Sequence, residues 1–302
     1  MHIEDSGGGG VKFLSFGEII FDQFLSGAEL GGAPLNVAVH LARFGAKSYL
    51  VSAIGADELG KRALSEISAT DVDTKYIGLS SRETGRADVV LDENGMAKYV
   101  FNSPAAWDEI ELFPQEYKTI FNDNWDGVVF GTLAQRSGIT RLTLEKLLDG
   151  INAREILFDV NLRKPFYSKE EIETSLSYAT ILKLNDEELS IISDMLGIKE
   201  SSFEKKILSK YPKLRGILVT HGPYGISYKE RGKDYFAKAQ ETKVVDTVGA
   251  GDSVSAAFLY FLSKTKDPNL ALERASIIAS YVVSTKGAIA PYSTQLKMEL
   301  GI

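Results

Sequence analysis

The chain has 302 residues, 34 basic against 41 acidic, for a net charge of −7. That length can bury a full core, and no Lys/Arg run is present to neutralise a nucleic-acid backbone, so nucleic acid is not expected as a partner. With no cysteine and three scattered histidines (His2, His40, His221), disulfides, a thiolate nucleophile and a His- or Cys-rich metal centre drop out, which fits a cytoplasmic protein.

The opening MHIEDSGGGG (1–10) buries nothing and reads as a flexible lead. It lacks the charged-then-apolar order of a signal peptide, and no later apolar run approaches the roughly 20 residues of a membrane span. From residue 11 onward, short apolar runs recur: VKFLSFG (11–17), SYLVSAIG (48–55), GVVFG (127–131), EILFDV (155–160), ATILKLN (179–185) and GILVTHG (216–222). Runs of that length bounded by Gly, Asp or Asn predict buried strands. Between them lie helical patterns at 33–45, 141–151 and 186–197, and two longer ones at 252–264 and 268–287 close the chain. Strand and helix alternating in this way predict an α/β fold, a mainly parallel, doubly wound sheet between two helical layers, as one domain over 11–302. The stretch TGRADVVLDENGMAKYVFN (84–102) alternates instead, with a hairpin signal at Glu93-Asn94-Gly95, and predicts part of a small antiparallel sheet.

Two nucleotide signatures nearly match. GADELGKR (55–62) has P-loop spacing, but Arg62 stands where a Mg²⁺-binding Ser/Thr is needed. GAGDSV (249–254) fits G-x-G-x-x-G until Val254 replaces the final Gly or Ala, and it lies near the wrong end of the chain, which weakens a nicotinamide-dependent oxidoreductase. The stretch DTVGAGDSVSAAF (246–258) still has two readings. Small residues and Asp make an ordinary tight turn and helix cap. The same residues make an anion site: the amides of Gly249, Ala250, Gly251 and Asp252 turned toward a phosphoryl group, with the Asp252 carboxylate placed to take a hydroxyl proton. GGAPLNVAVHLARFGA (31–46) likewise reads as a Pro-initiated amphipathic helix, or as a ligand site with Gly32 for close approach and Asn36 projecting from the first turn.

Taken together, GGAPLNVAVHLARFGA and DTVGAGDSVSAAF, with IGADELG (54–60), FDVNLR (158–163), LKLNDEEL (182–189), VTHGPYG (219–225) and STKGAIAP (284–291), resemble the ribokinase-like (PfkB) carbohydrate kinases over Val11 to Pro291. The resemblance implies a ribokinase-like three-layer α/β/α fold with a small β-lid from about 18–32 and 84–104. It implies Asp252 as catalytic base with Gly249, Ala250 and Gly251 as anion hole. Asp22, Gly32, Asn36, Phe101 and Arg163 would meet the sugar, and Asn185, Glu188, Thr220, Gly222, Gly225, Gly251, Gly287 and Ala288 the nucleotide. The cofactors implied are ATP and Mg²⁺, Glu188 acting through water, with K⁺ suggested beside Asp246; a homodimer through the lid is suggested too. Asp159, Asn161 and Arg163 alternate at a strand end, so an extended chain would put them on one face. His40 and His221 are left structural. GEIIFD, GGAPLN, GTLAQRS (131–137) and FDVNLR lean toward fructokinases, although no Arg follows Phe101, where many such kinases carry a Tyr-Arg pair. 2-Keto-3-deoxygluconate kinase is the alternative within the family, and a non-catalytic sugar or nucleotide sensor the alternative outside it.

Overall fold

The computed structural model describes residues 10–24, 27–91 and 97–302. Its strands in chain order are β1 (Lys12–Phe16), β2 (Ile20–Phe24), β3 (Gly27–Gly31), β4 (Lys47–Gly55), β5 (Ile77–Ser80), β6 (Gly85–Leu91), β7 (Ala97–Phe101), β8 (Trp125–Phe130), β9 (Ala153–Asp159), β10 (Ile181–Asn185), β11 (Gly216–Thr220), β12 (Gly225–Glu230) and β13 (Lys233–Lys238). Nine form one sheet, in the order β13-β12-β11-β10-β9-β8-β1-β4-β5. All neighbours from β11 through to β5 run parallel, while β12 and β13 turn back antiparallel at one edge.

The apolar runs read as buried strands because both sheet faces are covered. Leu14, Val128, Phe158 and Leu182 pack on one side against helices Gly138–Gly150, Lys169–Tyr178 and Phe203–Lys210. Their neighbours Phe13, Val129, Leu157 and Ile181 pack on the other, against helices Ala33–Arg43, Ala250–Thr265 and Pro268–Val283. Strand alternation thus builds two cores from one continuous apolar run. A third short helix, Thr294–Leu300, follows the two expected at the C-terminus; only Leu296 and Leu300 are buried in it, too few to show as a period.

The second sheet, β3-β2-β6-β7, is the lid, and it is mixed: β2 pairs β3 and β6 pairs β7 antiparallel, but β2 and β6 run parallel. The expectation of an antiparallel sheet was wrong at that join, since the two hairpins come from distant segments and no local turn sets their relative direction. The predicted turn at 93–95 lies outside the described residues. Among the described residues no helix is long and apolar enough to cross a membrane.

Strand order reverses at β1, with β4 and β5 on one side and β8 to β11 on the other. Such a reversal opens a crevice at the carboxyl ends of the strands. The segments that follow β1, β9, β10 and β11 all end there.

Candidate active site

Helix Ala250–Thr265 begins at Gly249, whose φ of 77° is left-handed. A Cβ there would lie 2.4 Å from the Ala288 Cβ, so both the conformation and the space require glycine. Ser253 N–H is the first to return to the turn, donating to the Gly249 carbonyl at 2.9 Å, and the Ala250 amide reaches back to the Thr247 carbonyl at 3.3 Å. Among the described residues no hydrogen bond engages the Gly249, Gly251 and Asp252 amides, so the turn keeps three free donors beside a positive helix end rather than four.

The Asp252 carboxylate accepts from Asn36 Nδ2 at 2.8 Å. Asn36 stands in the first turn of helix Ala33–Arg43, buried, and its Oδ1 has no partner. Gly32 makes that approach feasible: at φ 116°, a Cβ would sit 2.4 Å from the Glu18 carbonyl. Burial pushes Asp252 up to about 6, with Asp159 adding to the rise, while Asn36, Lys183 and Arg163 pull it down. Glu18, just past β1, is 4% exposed and burial raises it to about 7, Asp252 adding to the rise and Arg163 opposing it. Asp22, on β2, is raised to about 6 by burial, again opposed by Arg163. Three carboxyl groups with raised pKa values therefore share the field of one arginine.

Arg163 reaches them by a route that alternation did not anticipate. β9 ends at Asp159, and Asn161 takes φ 37°, so the extended run stops before Arg163. Asp159 turns inward instead, accepting from Lys183 Nζ at 2.9 Å and from Ser255 Oγ at 2.8 Å. Lys183 is fully inside β10, and a Cβ on Gly251 would lie 2.9 Å from its Nζ. Burial disfavours the ammonium, yet the carboxylates of Asp159, Glu188 and Asp252 outweigh it and hold its pKa above the ordinary lysine value. A buried cation beneath the anion turn was missed in the sequence; the signal was a lysine inside the apolar run ILKLN.

On the far side of the turn, a cavity of about 720 Å³ is lined by Asn185, Thr220, Gly222, Gly225 and Gly251, with apolar walls including Ile226 and Val283. It thus gathers five of the eight predicted nucleotide residues. Glu188 lies behind them: Oε2 accepts from the Asn185 amide and Oε1 from the Leu162 amide, each at 2.9 Å, so the carboxylate caps its helix and ties down the Arg163 loop. Gly287 and Ala288 do not line the cavity. Ala288 backs Gly249, its carbonyl on His40 Nε2 at 3.0 Å, and the Gly287 amide donates to Asp246 Oδ2 at 3.1 Å. Burial lowers the His40 pKa to about 3, which keeps its imidazole neutral. His221 bridges Asp186 Oδ1 at 2.6 Å and Ser227 Oγ at 2.8 Å. Phe101, at the end of β7, meets Phe166 edge-on at 6.0 Å. In the P-loop lookalike, Lys61 faces solvent beside Glu58.

Among the described residues, no group of three or more His, Cys, Asp or Glu could hold a metal.

The site is open on one side to a nucleotide-sized cavity and on the other to a carboxylate cluster under the lid, with Asp252 between. A family model described as pfkB family carbohydrate kinase matches residues 22–295. The fructokinase of Klebsiella pneumoniae is 29% identical over 287 residues, 89% of this chain and 91% of that protein. The ribokinase of Bacillus subtilis is 28% identical over 270 residues, 89% and 86% of the two chains. Among solved structures, fructokinase from Xylella fastidiosa with bound ATP superposes with a TM-score of 0.82 at 23% identity, over 92% of this chain and 94% of that one. Fructokinase from Vibrio cholerae O395 in a fructose, ADP and calcium ion bound form gives 0.80 at 20% identity, over 96% and 99%.

Proposed function

From the premise that the chain belongs to the pfkB family of carbohydrate kinases, phosphotransferases with an alcohol acceptor, we propose that it transfers the γ-phosphoryl group of ATP to a primary hydroxyl of fructose. The observation that carries the reading is the place of Asp252, at the helix start between the nucleotide-sized cavity and the Asn36–Asp22–Arg163 side of the cleft.

In this reading ATP fills the cavity behind Asn185, Thr220, Gly222 and Gly225, its terminal phosphate reaching the Gly251 and Asp252 amides. Fructose lies under the lid, its hydroxyls taken by Asp22, by the free Oδ1 of Asn36 and by Arg163. The Asp252 carboxylate accepts the proton of the primary hydroxyl as that oxygen forms its bond to phosphorus and the bond to ADP breaks. Lys183, buried in β10, adds positive charge below the developing phosphate charge. Bound Mg²⁺ would neutralise charge on the phosphate oxygens, and Glu188 is the residue that would hold it, through water. Asp246, already joined to Gly287, is the residue to which K⁺ would bring charge beside the turn. Lid closure excludes water, which would otherwise compete for the phosphoryl group.

ADP release from ATP·Mg²⁺ across fructose, ribose, 2-keto-3-deoxygluconate, adenosine, tagatose and a no-sugar blank tests the proposal. Turnover selective for fructose supports it; selective turnover of 2-keto-3-deoxygluconate replaces the substrate and keeps the chemistry. ATP binding with no turnover on any sugar would leave a sensor.

A further inference from the structure

We propose that Arg136 is a positioning residue for the acceptor side of the reaction, a buried guanidinium that locks the root of the lid to the loop carrying Arg163. The inference rests on the sugar-kinase reading above. Arg136 ends the turn Leu133–Arg136 after β8, and its side chain and that of Asp108 are 6% and 9% exposed. Nε donates to Asp108 Oδ1 at 2.8 Å and Nη2 to Oδ2 at 2.7 Å, a two-point fork. The same Nη2 donates to the Asn102 carbonyl at 2.8 Å, one residue past Phe101.

Asn102 also faces the other strand of its hairpin. Its Oδ1 accepts from the Arg86 amide at 2.7 Å and its Nδ2 donates to the Thr84 carbonyl at 3.2 Å. The entry and exit of the β6–β7 hairpin therefore converge on one residue, which Arg136 holds. The guanidinium is sandwiched as well: its Cζ lies 3.7 Å from the Trp107 ring centroid and 4.9 Å from that of Phe166. Phe166 closes the Arg163 turn, its amide donating to the Arg163 carbonyl at 2.7 Å, and it meets Phe101 on the other side. Arg136 thus touches the lid root directly and reaches both Phe101 and Arg163 through Phe166.

A lysine would keep the charge and lose the fork and the stacking plane. Nη1 is buried without a partner. It leaves one donor at the lid root for an acceptor that arrives with the closed, sugar-bound lid.

The test is steady-state kinetics on Arg136→Lys and Phe166→Leu, varying ATP and fructose separately, or whichever sugar of the panel turns over. Expected is a rise of about tenfold in sugar KM with ATP KM within about twofold, because a lost positioning contact acts only on the ligand it positions. An unchanged sugar KM in both variants, or a parallel loss toward ATP and sugar, overturns the proposal and leaves a plain core ion pair. If Arg136→Lys does not fold, Phe166→Leu, which leaves the Asp108 pair whole, decides alone. Wild-type turnover with unmoved KM values sinks this inference only, whereas absence of sugar-dependent ADP release by the wild type sinks the kinase reading and this inference with it.

Discussion

The two halves of the cleft are built on opposite principles. The half proposed for the nucleotide is apolar, shaped by turns with Gly222 and Gly249 at positive φ, and drawn from strand ends that adjoin in the sheet. The half proposed for the sugar gathers Glu18, Asp22, Asn36 and Arg163 from separate segments, and burial pushes two of its carboxyl groups toward neutral pH. A shape-selecting half tolerates substitution of side chains better than of backbone, while a charge-selecting half is the reverse. Asp252 belongs to both, with its backbone in the first and its carboxylate in the second.

Four measurements would break or sharpen that contrast. The largest effect is expected from Asp252→Asn, which keeps the turn but removes the base: kcat should fall by about 10²–10⁴ while ATP affinity in a fluorescence titration stays near wild type. Comparable turnover would mean that the carboxylate is not the base. Next, Lys183→Met removes the cation under the turn and strands Asp159; a loss of about 3–5 kcal/mol in denaturant unfolding is expected, with Asp159→Asn added in the double variant recovering part of it. If the single variant unfolds like the wild type, the buried pair is not what supports the anion turn.

Smaller effects follow from protonation. With Asp252 at about 6, kcat/KM should be level above that pH and fall as pH drops through it, since only the carboxylate accepts a proton. A profile flat down to pH 5 would contradict the assignment. Glu18 gives the smallest effect: its folded pKa of about 7 lies above the ordinary 4.5, so the fold favours its protonated form. That contribution is full below about pH 4.5 and is lost as pH rises through 7, amounting to at most about 3 kcal/mol. Glu18→Gln should flatten this part of the stability profile between pH 5 and 8, and an unaltered profile would place the pH dependence elsewhere.

The contrast between the halves also explains what could be read in advance. The segments proposed for the nucleotide and the phosphoryl group were legible as candidates because each is contiguous: Gly249 to Asp252, Asn185 to Glu188 and Thr220 to Gly225 carry their geometry in local backbone. Glu188 was placed correctly on its helix, although its carboxylate turned out to bind two amides. Gly287 and Ala288, expected beside the nucleotide, pack on Asp246, His40 and Gly249 and are not among the residues that line the cavity, because which side of a loop faces a cavity is set by its packing.

By itself the sequence determined six strands of the central sheet, five of the helices and the parallel sheet buried on both faces, and it marked the glycine turn at 249–251, since periodicity and glycine conformation are local properties; the antiparallel edge β12–β13 and helices Glu58–Ser68, Pro114–Phe121, Lys169–Tyr178 and Phe203–Lys210 were not read from it. Only the tertiary structure decided the parallel join inside the lid, the Lys183–Asp159–Ser255 support, the raised carboxyl groups around Arg163 and the Arg136 clasp. Each of these joins residues far apart in the chain, and burial, which sets their charge, exists only once the elements have packed.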